Sequence, residues 1–440
     1  AHRKPCHARS KNYELERSGQ DYRHHMPLDK KTLWIVGGFV VLLVVALLLA
    51  TGVIPGLRKK TAKTELIVWG FDSKSVWDQI ITKYHADHPT VTVTYRALSP
   101  TTYETDLLNG LATGKGPDIF MIGNSWLARH GDKMVSAPQS VATAASVEGA
   151  FPATVAQEFT NSGAAYALPL YMDTYALIYN KDLFDRADIT LPPNNWLAFQ
   201  DTVQKINAHS PSGGAAAISG SNATIEGASD IVALLMMQSG VPMVDKDGKA
   251  KLVGGEGALA FYAKFANPKG SYYAWDTLAP TAFERFARGT LPMLFGTHAE
   301  VVALRRANPA LRIGVAPLPQ APQAPVNFAI YAGLGVWIGS AHPNEAWQFI
   351  ANITTNADTA SMYATAKNAP PVLRSLIAQL ENDPTIGVFV KQELTARPWY
   401  RVNENAAAQI FSNMIESVTS GTATPATALR AAENALNDGQ

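Results

Sequence analysis

One cysteine, Cys6, is all the 440-residue sequence contains, which excludes a disulfide framework and any zinc or iron–sulfur centre built on thiolates. The short motifs of nucleotide and covalent chemistry are missing as well. There is no GxxxxGK(S/T), so Gly114-Lys115-Gly116 reads as a turn and not as a phosphate cradle. Gly333-Leu334-Gly335 followed by Gly339 does not match GxGxxG, and GxSxG, HExxH and SxxK do not occur. His85 and His88, beside Pro89, read as surface histidines. No internal repeat is visible. Paired carboxylates of a glycosidase leave no sequence signature and need a fold to judge. Charged residues make up only 17% against 47% hydrophobic, which excludes a disordered or fibrous chain and leaves enough apolar material for one large or two moderate cores.

The formal charge of +1 averages two unlike parts. Residues 1–63 hold 12 Lys and Arg against 4 Asp and Glu, whereas residues 64–440 hold 25 against 32. Nucleic acid binding needs clustered cations facing phosphates, and an acidic body offers none. Its partners are neutral, cationic or protein.

Between these parts lies an uncharged run of 22 residues, Leu33 to Ile54, rich in Val and Leu. As a helix at ~1.5 Å per residue it spans ~33 Å, close to the ~30 Å hydrocarbon core of a bilayer. Lys30 and Lys31 precede it, Trp34 suits the interface, and Arg58, Lys59 and Lys60 follow. It exceeds the ~7–15 residues of a signal h-region, no small-x-small cleavage site follows, and Cys6 is on the wrong side for a lipoprotein. The run therefore reads as an uncleaved anchor. Eight Lys and Arg in residues 1–31 against four in 58–63 place the body outside the cytoplasm. A start at Met26 would leave two against four, so charge alone does not fix the orientation. The polar first 25 residues read as disordered.

In the body, strand and helix patterns alternate. Glu65–Trp69, Val91–Tyr95 and Ile119–Ile122 read as strands, with helices around Val76–Tyr84 and Tyr103–Ala112 between them. Strands are expected again at Ala176–Tyr179, Leu291–Phe295, Ile313–Ala316 and Leu334–Ile338, with a loop over the proline-rich Pro317–Pro325. Helices are expected near Asp182–Ala187, Trp196–Ala208, Pro371–Leu380 and Asn405–Thr419, and a last one begins at Pro425 behind a Thr424 cap. Strand–helix–strand order of this kind implies a mainly parallel sheet covered by helices.

Ordered blocks across the body carry a resemblance. Glu65–Trp69, Gly114–Asp118, Tyr166-Ala-Leu-Pro169 and Asp173-Thr-Tyr-Ala-Leu-Ile-Tyr-Asn-Lys-Asp-Leu-Phe184 are its first half. Pro192-Pro193 through Trp196, Ala282 through Gly289 with Met293, Ala396-Arg-Pro398 and Thr419 through Leu429 complete it. Together they resemble the family-one extracellular solute-binding proteins, which include the maltose- and other sugar-binding components of ABC importers. The resemblance implies an α/β, two-lobed periplasmic-binding-protein-like fold of type II with an interlobe cleft, preceded here by one N-terminal transmembrane helix. It divides the chain into an N-terminal tail (1–32), an anchor (33–57), an N-terminal lobe (65–171 plus 319–368) and a C-terminal lobe (176–314 plus 372–440). Crossings between lobes are expected near Leu170–Tyr175, Val315–Ala321 and Asn368–Val372.

The same resemblance implies which positions face the ligand. Asp72 and Lys74 follow the first strand; Asn124, Ser125 and Trp126 follow the third. Tyr171 and Asp173 stand at the first crossover, where a carboxylate can accept from two sugar hydroxyls. His298 stands where relatives carry an aromatic platform, Tyr331 precedes Gly333, and Trp399 and Tyr400 follow Arg397-Pro398. In maltodextrin binders the late helix brings aromatic and basic groups; here Ala406-Ala407-Ala408-Gln409 is too small to stack on a sugar, which disfavours long glucose chains. The expectation is a monomeric, membrane-anchored, extracytoplasmic binding protein, not an enzyme and without a cofactor. It would deliver a small solute, a saccharide by resemblance, to an ABC transporter permease. Alternatives left open are a tethered sensor or adhesin on the same fold, and ferric-ion binding through Tyr272-Tyr273.

Overall fold

Length and composition make the first element. Lys30–Ala50 is one helix of 21 residues with charge only at its first two positions, long and apolar enough to cross a bilayer. The computed structural model describes residues 29–50, 63–209, 214–276, 280–323, 325–399, 401 and 403–438. The polar tail over residues 1–25, Ile54, the basic cluster Arg58, Lys59 and Lys60, and Tyr400 fall outside the described residues. The chain divides into two units, Ala1–Thr61 and Ala62–Gln440.

Within the second unit two hydrophobic cores form, each on its own sheet. The first sheet has six strands. Thr64–Gly70 pairs in parallel with Val91–Ala97 and Ile119–Gly123. Ile330–Trp337 then runs antiparallel to Ile119–Gly123, to Met134–Val135 and to Ala167–Asp173. The second sheet has three strands, with Ala176–Asn180 between Met293–Gly296 and Ile313–Ala316 and antiparallel to both. The expectation of a mainly parallel sheet fails here for a topological reason. Met293–Gly296, the helix His298–Ala307 and Ile313–Ala316 do form a crossover unit, but an earlier strand of opposite direction is inserted between its two strands.

The strand Ala167–Asp173 has no clear signature, because Pro169 argues against a strand interior. It is accommodated at a bulge, where the register against Ile330–Trp337 shifts between Ala332 and Gly333. A Cβ on Gly333 would lie 2.5 Å from the Phe159 ring and 2.6 Å from the Leu168 carbonyl, so glycine is required for this close approach.

Leu66, Phe120, Met172, Leu334 and Trp347 belong to the first core; Ile178, Phe199, Leu234, Phe295 and Phe411 belong to the second. Membership switches between Met172 and Tyr175 and again between Phe328 and Ala329. Leu318, Val326 and Phe328 pack with the second core, so the return to the first begins at Ala329 and not in the stretch Val315–Ala321. Val372, Leu373 and Leu376 still pack with the first core, and Phe389 is back in the second.

Buried charge fastens these pieces. Asp72 has no side-chain exposure; it accepts from the Tyr363 hydroxyl and pairs with Lys367 Nζ at 2.5 Å. Asp173, at the first switch, accepts the backbone N–H of Thr174 at 2.8 Å and of His298 at 3.1 Å. It therefore ties the crossing strand to the first turn of the helix His298–Ala307, where backbone N–H groups attract a carboxylate. Burial dominates all the same and pushes the Asp173 carboxyl up to about 7. Glu300, in the same helical turn, is raised to about 8, again chiefly by burial.

Two predictions follow from these buried carboxyls. Asp72→Ala leaves the buried Tyr363 hydroxyl without its acceptor, which costs about 1–3 kcal/mol. Lys367 can reach solvent, so the loss stays below the ~3–5 kcal/mol of a fully buried broken pair. Lys74→Ala, which removes an exposed i,i+4 pair with Asp78, costs less than about 1 kcal/mol. Urea denaturation of the two variants separates them; equal losses would refute the assignment. The second concerns pH. A carboxyl raised on folding binds its proton more tightly in the folded state, so its contribution is complete below its unfolded value and is lost as pH rises through the folded value. For Glu300 that window runs from about 4.5 to about 8. Across it the melting midpoint of the natural protein should fall relative to that of Glu300→Gln, whose side chain still accepts from Thr297 N–H. Parallel pH profiles would contradict this.

Candidate functional site

Between the two cores lies a cleft of about 780 Å³. One wall is aromatic. Tyr103 anchors its hydroxyl on the carbonyls of Trp69 (3.1 Å) and Met121 (2.8 Å), leaving its ring edge-on to Phe71 at 5.2 Å and beside Trp126 at 5.8 Å. Trp126 opens the helix Trp126–His130, and Ser125 before it takes a left-handed φ of 68°. That turn is held by Glu158, which accepts the Ser125 N–H at 2.7 Å. Burial, and the Glu404 charge after it, raise the Glu158 carboxyl above its ordinary value. Tyr171 and Tyr331, from the two long antiparallel strands, complete this wall.

Two ion pairs border the cleft. Glu104 accepts from Arg129 Nη1 at 2.5 Å and faces His130 Nε2 at 2.8 Å. Burial opposes its charged form, but the bonds from His130 and Arg129 outweigh it and hold the carboxyl below its ordinary value. On the opposite side Asp230 accepts from the Tyr175 hydroxyl at 3.0 Å and from Arg401 Nη1 at 3.2 Å. The approach of Tyr175 depends on Gly227. Its φ is 72°, and a Cβ there would sit 2.1 Å from the Tyr175 hydroxyl. The first turn of the helix Glu404–Thr419 closes this side with Asn403, Glu404 and Asn405.

The structure brings four of the sequence-derived site residues to the cleft: Asn124, Trp126, Tyr171 and Tyr331. Asn124 Nδ2 is buried with no hydrogen-bond partner among the described residues, a donor ready for a ligand oxygen. The others stand elsewhere. Ser125 is buried behind the wall and Lys74 is exposed on its own helix. Asp72 is enclosed with Lys367 and Tyr363. Asp173, expected to face the ligand, is instead satisfied by the backbone N–H of its neighbour Thr174 and that of His298 in the adjoining helix. His298 packs edge-on against Phe389 at 5.5 Å, with Nδ1 3.0 Å from the Asn368 carbonyl oxygen, and burial lowers its pKa. Trp399 packs on Phe411 at 5.5 Å in the second core. Tyr400 falls outside the described residues.

Sequence reasoning missed Glu104, Arg129, Glu226, Asp230, Arg401 and Glu404. Only Glu404 carried a readable signal, since an Asn cap at 403 marks the start of a helix and helix starts favour ligands. The small Ala408 does line the cleft, as the alanine-rich stretch implied. The tyrosine pair proposed for iron is remote from it. Tyr272 packs on Lys264 and Phe265, while Tyr273 borders a separate cavity of about 340 Å³ with Trp275. No group of three or more metal-ligating side chains occurs among the described residues.

Residues 70–360 match the family model described as bacterial extracellular solute-binding protein. The maltotriose-binding protein of Pyrococcus abyssi is 23% identical over 331 residues, covering 71% of this chain and 67% of that protein. Among solved structures, the sugar-binding protein MalE from Xanthomonas citri superposes with a TM-score of 0.73 at 19% identity, covering 85% of this chain and 97% of that one. The cyclic alpha-maltosyl-1,6-maltose binding protein from Arthrobacter globiformis gives 0.71 at 19% identity, with 85% and 98% covered. The two cores are thus the lobes of a type II substrate-binding fold. With the cleft between its lobes and two thirds of its length inside the family model, the chain belongs to the bacterial extracellular solute-binding proteins.

Proposed function

We propose that this protein captures a saccharide in the interlobe cleft, from the outer side of a membrane to which Lys30–Ala50 tethers it, and presents it to the permease of an ABC importer. The observation that carries the reading is the composition of the cleft. Sugars offer apolar ring faces edged by hydroxyls, and they are held by aromatic rings flanked by amides and carboxylates. Trp126, Tyr171, Tyr103 and Phe71 supply the rings, and Asn124, Asn403, Glu226 and Glu404 supply the polar groups. A cleft of about 780 Å³ is within the ~300–1,000 Å³ of small-molecule sites, room for a short saccharide and not for a long chain. Relatives named for maltotriose and for sugar support the same class. Hinge closure around the solute would exclude water and strengthen each polar contact.

Trp126→Ala should weaken binding of maltotriose, or of whichever neutral saccharide binds best, by about ten- to a hundredfold, the equivalent of ~1.4–2.8 kcal/mol of lost stacking and burial. Calorimetric titration reads this directly, and an unchanged dissociation constant would remove the aromatic wall from the site. The tether is tested separately. Protease added to intact cells should release a fragment of the size of residues 65–440; a fragment accessible only after lysis would reverse the orientation.

A further inference from the structure

The cleft carries four carboxylates, Glu104, Glu226, Asp230 and Glu404, against two guanidiniums, Arg129 and Arg401. Both cations are committed, Arg129 to Glu104 and Arg401 to Asp230. No lysine or histidine lines the cleft itself among the described residues, His130 standing behind Glu104 at 2.8 Å. Glu226 and Glu404 are exposed there, and neither has a hydrogen-bond or ion-pair partner among the described residues. Their field reaches the groups behind them. After burial, the Glu404 charge raises Glu158, and the Glu226 charge likewise raises Glu300. A neutral polyol could bond to either carboxylate without changing this excess of negative charge, and closing the lobes on it would desolvate uncompensated anions. A ligand bearing one cation halves that excess.

We infer that the preferred ligand is a saccharide carrying a protonated amine, its charge taken by Glu226 and Glu404 while its ring faces rest on the aromatic wall. This rests on the saccharide reading above and narrows its chemical class. A hydroxyl donating to a carboxylate is already charge-assisted, so what an ammonium adds is cancellation of the carboxylate's charge in the closed cleft, and the preference belongs to the amine position and not to ring number.

The test is calorimetric titration of the full chain in detergent at about pH 5.5, below the ~7.7–8.0 of a free amino group. The probes are maltotriose, its analogues with one hydroxyl replaced by an amine at each position in turn, and chitotriose beside its N-acetylated form. At least one amine should bind about tenfold or more tightly than its neutral match. That ratio should shrink with added salt, and in Glu226→Gln or Glu404→Gln it should fall by about tenfold. Both glutamates are exposed, so the glutamine variants retain the fold, and equal melting midpoints verify it. Neutral saccharides binding as tightly as every amine match would overturn the inference and leave the saccharide reading standing. A preference that survives both substitutions would also overturn it. Binding of no probe at all would sink both.

Discussion

The pairing of Ala167–Asp173 with Ile330–Trp337 is the interaction on which the rest depends. One strand carries the chain out of the first lobe and the other brings it back, so their antiparallel ladder sets both crossings side by side, with Asp173 opposite Ile330. Tyr171 and Tyr331 stand on the ladder itself; Tyr175 and Phe328 follow and precede it in the second lobe. All four reach the cleft. Aromatic side chains from residues more than 150 positions apart thus share one cavity because two strands share hydrogen bonds. The bulge at Gly333 lets Pro169 lie within the ladder, and the close approach there leaves no space for a side chain.

Buried carboxyls divide into two kinds by what surrounds them. Asp72, Asp173 and Glu158 are enclosed and engaged with a lysine, with helix amides and with a turn amide. They hold elements in place, and burial without a full counter-charge is why Asp173 and Glu158 hold their protons more tightly than usual. Those at the cleft are within reach of solvent, paired in two cases and, among the described residues, unpaired in two. The distinction between scaffold and site is one of environment, not of residue type.

That distinction explains what was legible in the sequence. Local periodicity located Val91–Ala97, Ile119–Gly123, Tyr103–Ala112 and the helix from Pro425, because their patterns arise within a few residues. The order and spacing of the blocks along the body pointed to the family, and the family model covering residues 70–360 agrees. Direction in the second sheet was not legible, since an inserted strand is a long-range fact. Asp173 and Asp72 were read as ligand groups because the family resemblance places polar contacts at their positions, and no local pattern shows which partner a charge will find. The partner proved to be the N–H groups of a helix more than 120 residues later in one case and Lys367 in the other. Glu104 and Arg129 have no shared motif and meet only through folding. Asn124, Trp126, Tyr171 and Tyr331 do line the cleft because they follow or occupy strands, and strand ends face the crevice in open α/β sheets.

Every ion pair among the described residues of the body stays within one lobe. Glu104–Arg129 and Asp72–Lys367 belong to the first, Asp230–Arg401 and Arg312 with Asp182 and Asp185 to the second. Among the described residues no ion pair therefore latches the lobes across the cleft. Swinging the lobes apart would break no ion pair among the described residues. If the lobes close on a ligand, only the difference between its affinity for the closed and for the open arrangement selects the closed form. A downstream protein that recognised the closed outline would in effect weigh the ligand without touching it.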